Sequence, residues 1–331
     1  DSDPNMPSVK MWDANDFFDS LTNDEKTKIT DNVDGEMYAE FHRGTYTSQA
    51  KIKKNNRLGE IYAEEAEKYS SIANLLGEVA YPRGIINNSW EKILQNQFHD
   101  TLAGAGDNSL VKEAHANGDA AIGSLNYVVD NATAGIARRA DTTGNGVPLV
   151  VYNPLSFERK QPVETTVIFD SAPSSVRIYD NGTEIPSQVL SISGNTAKIV
   201  FIVDNVPSMG FKVVHAVVNT GNYIGTGLKA ESNYFETGLT ASNAIENKFY
   251  RVEFDSKTGN IKRIYDKANS MEVLAGQGNR LKIMEDTPKN WDAWDVDYDD
   301  MTAAPVAILD SNQGVYLVEN GPVKATYRSE E

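Results

Sequence analysis

Three groups of residues in this sequence are of types that do chemistry. His99 and Asp100 are adjacent at the end of an apolar-periodic run, Asn88-Ser-Trp-Glu-Lys-Ile-Leu-Gln-Asn-Gln-Phe-His-Asp-Thr-Leu-Ala-Gly104. An imidazole beside a carboxylate can ligate a metal, hold a substrate hydroxyl or move a proton. It can also be a histidine capping a helix end beside a solvated aspartate. Phe41-His42-Arg43-Gly44, with Tyr46 close behind, is a polar loop after a strand-like run, with Gly44 allowing a left-handed or close-packed backbone. Read alone, it is either a site loop or a buried loop pinned by its own arginine and tyrosine. Trp291, Asp292, Trp294 and Asp295 offer aromatic faces and carboxylates, which grip a sugar by stacking and by hydrogen bonds to its hydroxyls. Two tryptophans can equally anchor a loop against another domain.

The elements that must position these groups follow from periodicity. Trp90, Ile93, Leu94 and Phe98 recur at three- and four-residue steps, which predicts a short amphipathic helix with that face inward, Asn88 as its N-cap and Gly104 and Gly106 as its stops. Upstream, Ile52, Leu58, Ile61, Tyr62, Tyr69, Ile72 and Ala73 form one stripe, predicting a helix that Tyr81-Pro82 and Gly84 end. A third helix is expected from Asp107-Asn108-Ser109, using Val111, Ala114, Ile122, Leu125, Val128, Val129, Ala132 and Ile136, with His115 packed or at the surface. Short turns between the three make an antiparallel bundle. After Asp141-Thr-Thr-Gly-Asn-Gly146 the period changes to two. Strands are expected at Leu149–Tyr152, Val163–Phe169, Val176–Tyr179, Ala197–Val203 and Phe211–Val218, then a hairpin at Phe249–Phe254 and Ile261–Asp266. Strands at this spacing without helices between them predict a β-sandwich.

Composition narrows the classes. The chain has 331 residues, 40% hydrophobic and 24% charged, an ordinary globular balance. No apolar run approaches the roughly 18 residues of a membrane span, and the start has no basic-plus-apolar signal pattern. A net charge of -16 repels nucleic-acid backbones and anionic membranes. The densest basic cluster, Lys51, Lys53, Lys54 and Arg57, is followed by Glu60, Glu64, Glu65 and Glu67 and is expected to be a solvated helix face. With no cysteine there is neither disulfide nor thiolate chemistry, which fits a cytoplasmic protein.

Trp90 followed by Leu94-Gln-Asn-Gln-Phe-His-Asp-Thr-Leu-Ala-Gly104 closely resembles a helix of the α-mannosidases of glycoside hydrolase family 38. Further segments resemble that family in order: Glu36–Gln49, Val151–Ser156, Val206–Phe211, Glu246–Phe254 and Asn290–Asp295. The resemblance implies a zinc ligand at His99 and a mannose contact at Asp100. It also places His42, Arg43 and Tyr46 beside the sugar subsite. It implies a multi-domain α+β fold: residues 1–34 as the close of an α/β catalytic domain, a three-helix domain over 35–140, a linker at 141–147, and an antiparallel β-sandwich over 148–331 of galactose-mutarotase-like type.

The function so implied is zinc-dependent, retaining hydrolysis of terminal α-linked mannose from oligosaccharides. In the family the nucleophile, the acid/base and a His-x-Asp of the zinc site come from the N-terminal domain, and this sequence contains no His-x-Asp. The chain is therefore expected to be a central and C-terminal fragment, inactive by itself and weak or empty for zinc. Its expected partners are a mannose-containing oligosaccharide and that missing catalytic domain, with no nucleic acid and no membrane; self-association into a homo-oligomer stays open. A different-class alternative is a non-catalytic carbohydrate-binding or scaffold protein.

Overall fold

The computed structural model describes residues 11–32, 34, 42–221, 223–226, 228–234, 242–311 and 314–330. Val9, Lys10 and the run from Glu36 to Phe41 lie outside the described residues. Two short helices come first, α1 (Ala14–Ser20), capped by the Asp13 side chain, and α2 (Asn23–Thr27), closed by a Thr22–Glu25 capping box. Neither buries a residue, and Phe17 and Phe18 stay exposed. A single 3₁₀ turn, Arg43–Tyr46, leads into the helical region.

Three long helices follow: α3 (Ala50–Leu75), α4 (Arg83–Asn96) and, after a short α5 (His99–Ala103), α6 (Asn108–Ala137). Small residues let their backbones approach. A side chain at Gly59 of α3 would meet Ile93 of α4 at 3.0 Å, and one at Gly118 of α6 would meet Asn55 of α3 at 2.7 Å. Asn55 is buried there because its amide donates to Asp119, just as buried Asn96 donates to the Ala114 carbonyl. Ala63, Ala66, Ile86, Ile93, Ala121, Leu125 and Val128 fill the space between, so this is the expected three-helix bundle.

The details of two helices differ from the sequence reading. The first ends at Leu75, before Gly77, and Pro82 is the N-cap of α4 rather than the end of α3. Proline suits this place because its missing N–H and fixed φ cost nothing at a helix start. Asn88 therefore lies inside α4, and Ile61 of the expected stripe is exposed. In α4 the inward face is Ile86, Ser89, Ile93 and Asn96, while Leu94 and Phe98 point outward. The third start is as expected: Asp107 accepts from the Ser109 and Leu110 amides.

The β-region opens with β1 (Val147–Asn153), β2 (Arg159–Ile168), β3 (Val176–Asp180), β4 (Thr183–Ile185), β5 (Ser187–Ser193), β6 (Thr196–Val206) and β7 (Gly210–Val218). They form two antiparallel sheets, in the orders β1-β7-β3-β4 and β2-β6-β5. Val151, Val167, Val176, Ile178, Ile199, Phe201, Val203 and Val214 from both sheets meet in one core, giving the expected sandwich. Pro148 and Pro162 are tolerated because β1 and β2 are edge strands with one side unpaired. Asn181 and Gly182, both at positive φ, make the two-residue turn between β3 and β4.

A five-stranded antiparallel sheet comes next: β8 (Lys229–Tyr234), β9 (Ser242–Glu246), β10 (Tyr250–Asp255), β11 (Ile261–Asp266) and β12 (Met271–Glu272). The remainder is β13 (Leu281–Ile283), a short α7 (Tyr298–Thr302), β14 (Ala307–Leu309) paired with β13, and the hairpin β15 (Val315–Asn320) and β16 (Ala325–Ser329). Buried Gln188 of β5 accepts from the Val323 and Lys324 amides and so fixes that hairpin on the sandwich.

Bundle and sandwich are joined by an aromatic seam. Tyr69 of α3 meets Tyr152 of β1 edge-on at 5.5 Å, and Tyr152 meets Phe211 of β7 at 5.9 Å. The Tyr152 hydroxyl donates to the Thr133 carbonyl of α6 at 2.6 Å. Burial pushes the Tyr69 phenol well above its usual pKa, so it stays neutral in this apolar setting.

Candidate functional site

α4 stops at Asn96, and Phe98 adopts an extended conformation that restarts the helix as α5. The Thr101 and Leu102 amides donate to the Phe98 carbonyl, and Gly104 closes the turn at φ +75°. His99 and Asp100 thus begin a new helix instead of ending the old one. Gln97 braces this break, its amide donating to Asn56 and Glu60 of α3. Phe98 and His99 lie with ring centroids 4.4 Å apart, and His99 Nε2 is 3.6 Å from Asp100 Oδ2. The His99 side chain is 75% exposed and that of Asp100 44% exposed, so both remain open to a ligand or a further protein surface.

The other two groups, far apart in sequence, come together. The Gly44 amide donates to the Trp294 carbonyl at 2.8 Å, His42 packs edge-on to the Trp294 ring at 4.9 Å, and Arg43 Nη1 is 3.5 Å from Asp295 Oδ1. Glycine suits position 44, where a Cβ would lie 3.1 Å from the Trp294 carbonyl and push the loop back by a few tenths of an ångström. Trp291 holds the loop in a tight turn, its carbonyl accepting from the Trp294 and Asp295 amides at left-handed φ +59°. Asp295 is buried, whereas Trp291, Asp292 and Tyr46 are exposed. Trp294 and Asp295 therefore serve as anchors of the loop, while Trp291 and Asp292 present their side chains outward. His42 Nδ1 and Asp295 Oδ1 are both buried without a hydrogen-bond partner.

Sequence reading missed the pair that ties α5 to this cluster. Lys53, expected on a solvated face, is half-buried and donates to the carbonyls of Ser48 and, at 2.9 Å, Ala103. Desolvation lowers the pKa of its ammonium. Ser48 in turn donates its hydroxyl to the Ala293 carbonyl at 3.0 Å, across 245 residues of chain. The Ser48 carbonyl also sits where a side chain at Gly104 would be, 2.7 Å from its Cβ. Nothing in the basic cluster singles out Lys53, since its partners are main-chain carbonyls. Lys51, by contrast, makes an exposed pair with Asp119.

Two family models match the chain, the α-mannosidase middle domain over residues 40–136 and the glycosyl hydrolases family 38 C-terminal domain over 245–330. The chain belongs to glycoside hydrolase family 38. As a family 38 chain it is 27% identical to human α-mannosidase 2C1 over 307 residues, which is 91% of this chain and 26% of that protein. It is 25% identical to α-mannosidase G of Dictyostelium discoideum, over 96% of this chain and 30% of that protein. Among solved structures, a family 38 protein from Enterococcus faecalis superposes with a TM-score of 0.66 at 16% identity, over 91% of this chain and 38% of that one. That likeness concerns the fold. The chain spans about a quarter to a third of the curated relatives it matches.

A zinc ligand at His99 meets a partial donor set. The pair offers one imidazole and one carboxylate, and among the described residues there is no group of three or more metal-binding side chains. A catalytic zinc takes three protein ligands plus water or substrate.

Proposed function

We propose that this chain forms the middle and C-terminal part of a zinc-dependent, retaining α-mannosidase acting on terminal α-linked mannose of an oligosaccharide. The observation that carries the reading is the exposed His99–Asp100 pair at the start of α5, within the stretch matched by the α-mannosidase middle domain. In this reading His99 gives one nitrogen donor to zinc and Asp100 a hydrogen bond to a mannose hydroxyl. The remaining ligands come from residues outside this chain. Zinc, when bound, would hold sugar hydroxyls in place. Retention requires a nucleophile and an acid/base carboxylate about 5 Å apart, and no residue here is assigned to either role. The isolated chain, on this account, is not catalytic.

The full-length enzyme tests this. His99→Ala should remove zinc and activity together, measured by elemental analysis and steady-state kinetics. Asp100→Asn should keep zinc and lower kcat/KM, because it retains size while losing the charge that receives the hydroxyl. Zinc and near-normal turnover in His99→Ala would leave the pair a helix-start feature and reduce the family likeness to fold alone.

A further inference from the structure

α5 is too short to hold its own direction. Its five residues make less than two turns, Thr101 is the residue it buries, and the Phe98 ring before it is exposed. The end of this helix is tied by Lys53, which donates to the Ala103 carbonyl at 2.9 Å. Its start depends on Gln97, the C-cap of α4, which stands just ahead of Phe98 and His99. The Gln97 side-chain amide donates to Asn56 Oδ1 and to Glu60 Oε1, each at 3.0 Å, and Asn56 Nδ2 donates to the same Glu60 oxygen at 3.1 Å. These bonds close a triangle in which Gln97 donates to both partners, Glu60 accepts from both, and Asn56 does one of each. Arg57 engages the other Glu60 oxygen at 3.1 Å, which leaves Oε1 to the triangle. All three members are half-buried polar side chains outside the apolar core, so the network contributes direction more than cohesion.

We infer that Gln97 is a positioning residue: through Asn56 and Glu60 it fixes the direction in which α5 leaves α4, and with it the placement of the His99 imidazole and the Asp100 carboxylate. This rests on the mannosidase reading and adds to it a network, anchored on α3, that acts through the backbone of the 97–99 turn. A metal-ligating imidazole depends on the groups that hold it in place, and loss of such support costs about ten- to a hundredfold in metal affinity or activity. Gln97 suits the task because one amide nitrogen has two protons, and each is given to a different residue of the neighbouring helix.

The test uses the full-length enzyme and three readouts: zinc affinity by chelator competition, kcat/KM on an aryl α-mannoside, and amide hydrogen exchange over 99–103. Gln97→Met keeps the side-chain length and removes both donors, so it should weaken zinc binding and lower kcat/KM, each by about tenfold or more, and speed exchange at Thr101 and Leu102. Gln97→Glu should do the same, because two carboxylates would then meet. Combining Gln97→Glu with Glu60→Gln should bring all three readouts back to within about threefold of the unaltered enzyme. With the Asn56 amide turned over, the new amide at 60 donates where Gln97 did, and the new carboxylate at 97 accepts where Glu60 did. Arg57→Met is the control: it breaks the outer pair, leaves the triangle intact and should change each readout by less than about threefold. Unchanged exchange and zinc affinity in Gln97→Met, or no rescue by the paired substitutions, would overturn the inference. If His99→Ala keeps its zinc, the mannosidase reading fails, and exchange in the Gln97 variants still decides whether the triangle holds α5.

Discussion

Arg43 faces Asp295 across 3.5 Å, and the aspartate is the more buried of the two, its side chain 6% exposed against 31% for the arginine. This contact fastens the loop before α3 to the loop before α7. Removing the cation leaves a buried carboxylate without a partner, a change that is costly even where the intact pair adds little.

Arg43→Met should therefore destabilise the chain by about 1–3 kcal/mol, reduced from the buried-pair value because Arg43 is partly in water. Asp295→Asn should cost less. A double-mutant cycle by chemical denaturation should give a coupling of at least about 0.5 kcal/mol. Additivity would mean that the His42–Trp294 ring contact and the Gly44 hydrogen bond hold the loops without the ion pair.

Gly104→Ala should cost about 1–3 kcal/mol, because its backbone is left-handed and the new methyl would meet the Ser48 carbonyl at 2.7 Å. Gly84→Ala provides the contrast. That glycine lies in the first turn of α4 with nothing within 4 Å of a new Cβ, so the substitution should stabilise by about 0.5 kcal/mol. Thermal unfolding of both variants checks the opposite signs.

Much of this arrangement was legible in the sequence. Val128, Leu125 and Ala132 recur at helical steps and line α6, and the Asp107 cap marks its start. The alternation of Val176, Ile178, Val203 and Phe201 marks the sandwich core. The break between α4 and α5 was not, because no proline or glycine signals it; Gln97 and Phe98 are held by partners on α3 and by the local turn. The docking of His42, Arg43 and Gly44 on Trp294 and Asp295 was equally hidden, since a main-chain bond and a close glycine approach leave no periodic trace. Each segment is a site candidate by its own residue types. Their contact depends on tertiary packing.

Acid should weaken the sheet formed by β9, β10 and β11. Glu246 is held below the usual carboxylate range first by its hydrogen bond from Lys267, then by that from Arg251. A depressed folded-state pKa stabilises above the unfolded value, near 4.3, and the contribution is lost as pH falls through the folded value. Glu246→Gln should thus lower stability at neutral pH and flatten its fall below about pH 4. Denaturation midpoints taken between about pH 3 and 7 give the comparison. Parallel curves for the two proteins would show that Glu246 is not the group responsible.

The 331-residue chain by itself should release no aryl alcohol from an aryl α-mannoside and should hold well under one equivalent of zinc, since a single imidazole and one carboxylate fall short of three ligands. Turnover abolished by a substitution within this chain, or stoichiometric zinc lost in His99→Ala, would show a more complete site.

The seam of Tyr69, Tyr152 and Phe211 makes bundle and sandwich share one apolar cluster with Ala73, Ala132 and Ile136. Between them, the loop at 141–146 is exposed but tethered, with the Thr142 carbonyl 3.1 Å from His215 Nε2 and Gly144 against the same imidazole. A protease that nicked it would leave two pieces still gripping each other, because parting them would expose the seam to water. Heat should then melt helices and strands of this pair in a single cooperative step, and force applied at one would be transmitted to the other.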